Sequence, residues 1–114
     1  MGQIADLAVT AHGNSKAHGF YDTVLDKAYS QEAETAKRIA LIMSELGELL
    51  EAVRLPISAL SEKAAGFTCA EEEAADVFIR LLDLCGWLGW DLEGATKAKM
   101  AYNAKRPYKH GKAF

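Results

Sequence analysis

The sequence of 114 residues has few cysteines and histidines and no long apolar run, and each of these features excludes a class of protein or site. Its only cysteines, Cys69 and Cys85, lie 16 positions apart without CxxC spacing, so we predict a buried pair of ordinary thiols. The three histidines lack the spacing of a zinc site. No apolar run approaches the ~18 residues of a membrane span, and the N-terminus has no basic-then-apolar signal pattern. A cytoplasmic protein without membrane association is therefore predicted.

Acidic residues are absent from Lys97 onward, where the sequence holds six Lys and Arg residues. The first 96 residues hold all 16 acids against seven bases. An acidic body with a basic tail could bind nucleic acid, an anionic substrate or an acidic patch on a neighbouring subunit. Because the net charge is −3, nucleic acid is the partner that this balance favours least.

The sequence also lacks the alternation of apolar and polar residues, bounded by turn residues, that indicates β-strands. Its apolar residues recur instead at the spacing of α-helices. We predict one all-α domain over 1–114, a bundle of four to five helices. Helical spacing begins near the N-terminus, and Gly13-Asn14-Ser15 has the pattern of a helix stop followed by a new cap. A long helix is predicted from Glu32 to Leu55, with Ser30 as its N-cap and Pro56 ending it.

Residues 56–67 are predicted to connect the long helix to a second one. Thr68 and Glu71 form a capping-box pattern at the start of this second helix, which is expected to run to about Leu88 and to end at Gly89. Asp91 is expected to cap the last helix, which ends before Pro107.

Two acidic pairs give these helices a possible chemistry. Glu45 and Glu48 on the long helix are three residues apart, as are Glu73 and Asp76 on the second, so each pair lies on one helix face. If the two helices pack side by side, four carboxylates meet and must protonate or capture cations. Oxygen-only ligands favour Mg²⁺ or Mn²⁺, most often for chemistry on phosphate groups.

The surrounding residues of each helix refine this prediction. Glu45 and Glu48 fall at the flank of an apolar stripe centred on Leu46, whereas Glu51 falls on the opposite, solvated side. One sector of the second helix holds Glu73, Asp76, Arg80, Asp83 and Trp87. On the last helix, one face presents a row suited to phosphate oxygens, with an aromatic ring beside it: Lys99, Asn103, Arg106 and Tyr102.

Over residues 35–112 these motifs resemble the MazG-like nucleoside triphosphate pyrophosphohydrolases, an all-α family marked by ExxE, a connector and ExxD. The Gly89-Trp90-Asp91-Leu92 turn and the K-x₃-N-x₂-R-P ending from Lys99 to Pro107 extend the resemblance. Ser44 stands where the family usually has a further acid. The first thirty residues carry no motif of the family.

The resemblance implies a reaction and a role for each group. A (deoxy)nucleoside triphosphate would be cleaved between its α- and β-phosphates, giving the monophosphate and pyrophosphate, as in nucleotide-pool housecleaning. The resemblance implies Mg²⁺, with Mn²⁺ as a substitute, held by the four acids of the two pairs. Glu45 and Glu48 are both candidates for the catalytic base. The side chains on one face of the last helix would bind the substrate's phosphates: Lys99, Asn103, Arg106 and Tyr102. The nucleotide base would stack on an aromatic side chain, for which Phe20, Tyr21 and Trp87 are the candidates.

Three alternatives stay open. One is a base-selective relative, such as a dUTP or dCTP pyrophosphatase or a phosphoribosyl-ATP pyrophosphohydrolase. The others are a non-catalytic helical interaction module and a nucleic-acid-binding tail.

The apolar surface of the second helix predicts an oligomer. Its apolar positions, from Val77 through Leu81 and Leu88 to Phe78 and Leu82, cover more than about 200° of the helix, whereas one amphipathic face needs somewhat over 100°. A homodimer or homotetramer would cover the surplus.

Overall fold

The structure is a computed structural model that describes residues 2–22, 30–56 and 58–111. Within these ranges it contains four α-helices and no β-strand, apart from an isolated bridge between Leu60 and Thr68. The helices are α1 (Gln3–Ala17), α2 (Gln31–Ala52), α3 (Cys69–Leu88) and α4 (Leu92–Ala104), and a short 3₁₀ helix follows over Tyr108–Gly111. The predicted all-α class is confirmed. None of the described helices combines the length and apolar character needed to span a bilayer.

The ends of α2, α3 and α4 follow local side-chain chemistry. Ser30 Oγ accepts a hydrogen bond from the Ala33 amide at 3.3 Å, and Asp91 Oδ1 accepts one from the Gly94 amide at 2.9 Å. Thr68 and Glu71 form the predicted capping box, with both reciprocal bonds at 3.1 Å. These bonds satisfy amide groups that the first turn of a helix leaves without partners.

The C-terminal ends agree with the prediction for α3 and differ slightly for α2. α3 ends at Gly89, whose φ of 71° lies in the left-handed region that glycine adopts without strain. α2 ends at Ala52, three residues before the predicted Leu55. The chain from Val53 to Leu55 continues as turns, because Pro56 disfavours helical geometry in the residue before it.

The predicted break at Gly13-Asn14-Ser15 is wrong, because α1 is continuous from Gln3 to Ala17. A glycine inside a helix costs only about 1 kcal/mol, which tertiary packing readily offsets. α1 packs along α3, and their approach is close at Gly86. A Cβ atom on Gly86 would lie 2.8 Å from His12 Cβ and 2.9 Å from the Ala8 carbonyl oxygen.

α3 is the central helix and packs against both α1 and α2, while α4 lies against α1. The contact of α4 is polar, because Glu93 Oε1 accepts hydrogen bonds from the Ile4 and Ala5 amides at 2.8 and 3.2 Å. Glu93 thereby supplies the acceptor that the N-terminal turn of α1 lacks in its own sequence. These hydrogen bonds lower the pKa of Glu93.

The described single chain has a thin core. The buried hydrophobic residues among those described are few: Ala8, Tyr21, Leu82, Leu84 and Cys85. The other cysteine, Cys69, is only half-buried, so the predicted buried thiol pair is wrong for one member. The radius of gyration is 16.8 Å, against about 13 Å expected for a compact domain of this length.

Much of the predicted apolar surface of the long helix is exposed in one chain. Leu46, at the centre of the stripe, is 49 % exposed, and Leu50 and Val53 are 57 % and 58 % exposed. On α3, Phe78 is 40 % exposed. Exposed apolar patches of this kind are typical of interaction surfaces.

Candidate metal centre and adjoining cleft

The packing of α2 against α3 brings three of the four predicted acids together. One carboxylate oxygen each from Glu45, Glu73 and Asp76 lies within 4.8 Å of the other two. All three residues are half-buried. Carboxylate oxygens this close can share one hard cation. The side-by-side packing of the two helices, which the meeting of the acidic pairs requires, is present in the described structure.

The fourth predicted acid, Glu48, lies outside this group of three. Its side chain is exposed, one turn along α2 from Glu45. Its charge nevertheless acts on the cluster, because Glu48 is one of the acids that raise the pKa of Glu73. Glu48 therefore contributes to the negative field at the cluster, and its role as a ligand stays a prediction.

The electrostatics of the cluster favour a bound cation. Desolvation, followed by the neighbouring charges of Asp76, Glu72, Glu48 and Glu45, raises the pKa of Glu73. Desolvation and the charges of Glu45 and Glu72 raise the pKa of Asp76. A divalent ion among these oxygens would replace repulsion with attraction.

One oxygen of the cluster also lacks a protein partner. Glu73 Oε2 is buried and accepts no hydrogen bond from the described residues. A buried acceptor in this state is unfavourable unless an ion, a donor or water satisfies it. The residues present therefore fit a metal with oxygen ligands, such as Mg²⁺ or Mn²⁺.

Arg80 is part of the site, although no role was predicted for it from its position in the sequence. Its Nε donates a hydrogen bond to Glu45 Oε1 at 2.7 Å, and the two side chains are 39 % and 18 % exposed. The shared sector of α3 with Asp76 was visible in the sequence, but the partner on α2 was not. Arg80 therefore neutralises part of the acidic cluster and competes with any cation for Glu45.

A cleft of about 660 Å³ adjoins the cluster and is bounded by α1, α2, α3 and the segment that follows α1. Two acids of the cluster, Glu45 and Asp76, lie in its wall. The rest of the lining contains apolar side chains, uncharged polar side chains, a third acid and three cations, among them Leu7, Leu41 and Ile79, Asp83, and Lys37, Arg38 and Arg80. Such a mixture suits a ligand that has both a ring and a charged group.

A hydrogen-bonded group centred on Asp83 forms part of one wall of the cleft. Asp83 Oδ1 accepts a hydrogen bond from the Tyr21 hydroxyl at 2.8 Å and lies 3.0 Å from His12 Nδ1. The His12 and Tyr21 rings meet edge to face, with centroids 4.7 Å apart. Burial, followed by the hydrogen bond and charge of Asp83, raises the pKa of Tyr21 well above its usual range. Tyr21 is therefore a neutral hydrogen-bond donor at any physiological pH.

The three aromatic residues considered for base stacking have different surroundings. Phe20 is 63 % exposed and lines the cleft, so it is placed to contact a ligand. Tyr21 is buried, and its ring lies 5.5 Å from that of Trp87. In the described part of the chain, Trp87 is not among the residues that line the cleft.

The predicted phosphate-binding row lies on α4 and on the turn after it. The ring of Tyr102 is 60 % exposed, with Lys99 Nζ 4.8 Å and Arg106 Cζ 5.7 Å from its centre. Asn103 is half-buried, and its Oδ1 has no hydrogen-bond partner among the described residues. None of these four residues lines the cleft within one described chain. Their contact with substrate stays a prediction.

Comparison of the chain with family models, with curated proteins and with solved structures found no match.

Proposed function

We propose that the protein is a Mg²⁺-dependent pyrophosphohydrolase of (deoxy)nucleoside triphosphates. It would cleave between the α- and β-phosphates and release a monophosphate and pyrophosphate, as the resemblance to the MazG-like all-α enzymes implies. The observation that carries the proposal is the cluster of Glu45, Glu73 and Asp76 at the wall of a cleft that also contains cations. Carboxylates with nearby cations are the groups needed to hold metal and polyphosphate together.

The side chains divide into two chemical tasks under this proposal. Glu45, Glu73 and Asp76, with Glu48 one helical turn from Glu45, would hold the metal, which supplies charge neutralisation and a more acidic bound water. A carboxylate that is not fully committed to metal would accept the proton of the attacking water, and Glu45 and Glu48 are the candidates. Arg80, which lines the same cleft, is placed to stabilise negative charge on phosphate oxygens.

The working unit is proposed to be a homodimer or homotetramer. The exposed stripe at Leu46, Leu50 and Val53 and the large radius of gyration both support burial against a second copy. A second copy could also bring its α4 towards the cleft, which a single described chain does not do. Analytical ultracentrifugation at micromolar concentration tests this proposal, because a monomer with full activity would contradict it.

The activity is tested by incubating the protein with a panel of dNTPs and NTPs and measuring pyrophosphate. We expect release of pyrophosphate with Mg²⁺ or Mn²⁺ and none in excess EDTA. Glu73→Gln should abolish turnover, because it removes one of the three clustered carboxylates. Glu51→Gln is the matched control, since Glu51 is 68 % exposed and pairs with Arg54 at 3.2 Å, away from the cluster. Full turnover in EDTA, or equal loss in both variants, would contradict the proposal.

The same panel separates the nearest alternatives. A strong preference for one base would identify a selective relative, such as a dUTP or dCTP pyrophosphatase, with the same carboxylates. A non-catalytic helical interaction module is the second candidate, and the exposed apolar stripe on α2 favours it. That candidate predicts oligomerisation or partner binding without any pyrophosphate release and without a stabilising effect of divalent metal.

A further inference from the structure

Arg38 is a positively charged residue that lines the cleft and has no role in the carboxylate site described above. It lies on α2 seven residues before Glu45, which corresponds to about 10 Å along the helix axis and about 20° around it. Arg38 and Glu45 therefore project from the same face of α2, and both line the cleft. One polyphosphate chain could therefore contact both Arg38 and the carboxylate cluster.

The guanidinium of Arg38 is held in place by aromatic and backbone groups. Its central carbon lies 3.6 Å from the centre of the Tyr21 ring and 5.1 Å from that of Trp87. One terminal nitrogen donates a hydrogen bond to the Phe20 carbonyl oxygen at 2.8 Å. The Tyr21 ring is itself fixed by its hydroxyl bond to Asp83. A stacked guanidinium of this kind has lost its rotational freedom before any ligand binds.

The polar contacts of Arg38 are incomplete without a ligand. The side chain is only 11 % exposed, and its Nε has no hydrogen-bond partner among the described residues. Its ion pair with Glu34 is loose, at 3.6 Å, and falls within the same helix. Because Arg38 lines the cleft, an anion bound there would add the counter-charge that the loose pair with Glu34 supplies only in part.

Arg38 is also less committed to the acidic cluster than the other arginine of the cleft. Arg80 already donates to Glu45, whereas Arg38 contacts none of the three clustered acids through a described hydrogen bond or ion pair. Lys37 is the exposed neighbour of Arg38 and lines the same cleft. Together they place two positive charges about two helical turns from the carboxylates.

We propose that Arg38, assisted by Lys37, binds the terminal diphosphate of the substrate, the part that leaves as pyrophosphate. This inference rests on the proposed function, and it assigns to α2 a role that the sequence assigned to α4. The planar guanidinium matches two phosphate oxygens at once, and the lysine adds a mobile charge. The apolar wall of the cleft is then left for the nucleoside.

Binding of inorganic pyrophosphate, measured by calorimetry with Mg²⁺, tests the inference without requiring turnover. Arg38→Lys keeps the charge but loses the planar fork, and we expect it to weaken pyrophosphate binding about 10- to 100-fold. Lys37→Ala, at an exposed position, should weaken it less, by about 3- to 10-fold. Arg54→Met is the matched control, because Arg54 is 68 % exposed just beyond α2 and pairs with Glu51. Circular dichroism establishes that each variant is folded.

Each outcome decides the inference separately from the proposed function. If the wild type hydrolyses nucleotides and Arg38→Lys binds pyrophosphate as the wild type does, the inference is wrong and the function stands. If the wild type binds pyrophosphate through Arg38 but hydrolyses no nucleotide, the function is wrong, and only the anion-binding role of Arg38 stands. If Arg38→Lys loses only monophosphate binding, the guanidinium serves the nucleoside end and the inference is wrong. If Arg38→Lys does not fold, unchanged binding by Lys37→Ala overturns it.

Discussion

Replacing Asp76 with asparagine is the most direct test of the carboxylate cluster, because it removes one charge at nearly constant shape. A carboxylate oxygen of Asp76 lies within 4.8 Å of oxygens of Glu45 and Glu73. At that distance, each like-charge pair costs about 0.9 kcal/mol in water and about 3.5 kcal/mol at an effective dielectric constant of about 20. The half-buried site lies between these limits, and attraction to Lys63 and Arg80 offsets part of the repulsion.

In metal-free buffer, we therefore expect Asp76→Asn to raise the free energy of unfolding by about 1 kcal/mol, or the Tm by about 4 °C. In the wild type, Mg²⁺ at ten times its Kd should add about 1.4 kcal/mol, because it binds the folded state alone. The variant should lose most of this response, since it lacks one ligand. Thermal melts followed by circular dichroism, with EDTA and with Mg²⁺, measure both effects.

The pH dependence of the same melts has a definite sign. Folding raises the pKa of Asp76, so the folded chain binds more protons than the unfolded chain between the two pKa values. The contribution of Asp76 to stability in EDTA should therefore fall as the pH rises from about 4 through the raised pKa, and then level off, whereas the lowered pKa of Glu93 contributes in the opposite direction. Asp76→Asn should reduce this fall, whereas Glu51→Gln should not. The reasoning is refuted if Asp76→Asn melts below the wild type in EDTA, or if Mg²⁺ stabilises it as much as the wild type.

Three further predictions concern the rest of the site. Glu48→Gln should remove nearly all activity and leave the fold intact, whereas Glu51→Gln should do little; kcat values that match would contradict the assignment of the α2 face. Arg80→Gln should lower kcat and should tighten Mg²⁺ binding several-fold in calorimetry, because it frees Glu45 from its ion pair. Unchanged Mg²⁺ affinity would show that the ion pair does not compete with the metal. Lys99→Ala should raise KM or lower kcat in the oligomer if α4 of a second copy reaches the cleft; wild-type kinetics would show that Lys99 belongs only to a charged helix end.

The helix boundaries could be predicted from the sequence because their causes are local. The caps at Ser30, Thr68 and Asp91 involve atoms three residues apart, and the left-handed residue at Gly89 depends on its missing Cβ. The break expected at Gly13 failed for the opposite reason. Its local signal is weak, and the packing of α1 along α3, where Gly86 allows close approach, outweighs it.

The spacing within each acidic pair places its two residues on one face of a helix, because a helix fixes which residues share a face. The packing of α2 against α3 then decided that Glu45 meets Glu73 and Asp76. The sequence could not decide that Arg80 would bond to Glu45, 35 residues away, or that Arg38 would stack on Tyr21. Those contacts depend on the rotation and axial shift of one helix against another. Only the packed side chains of all three helices set these two quantities, so they follow from the tertiary structure and not from any local pattern.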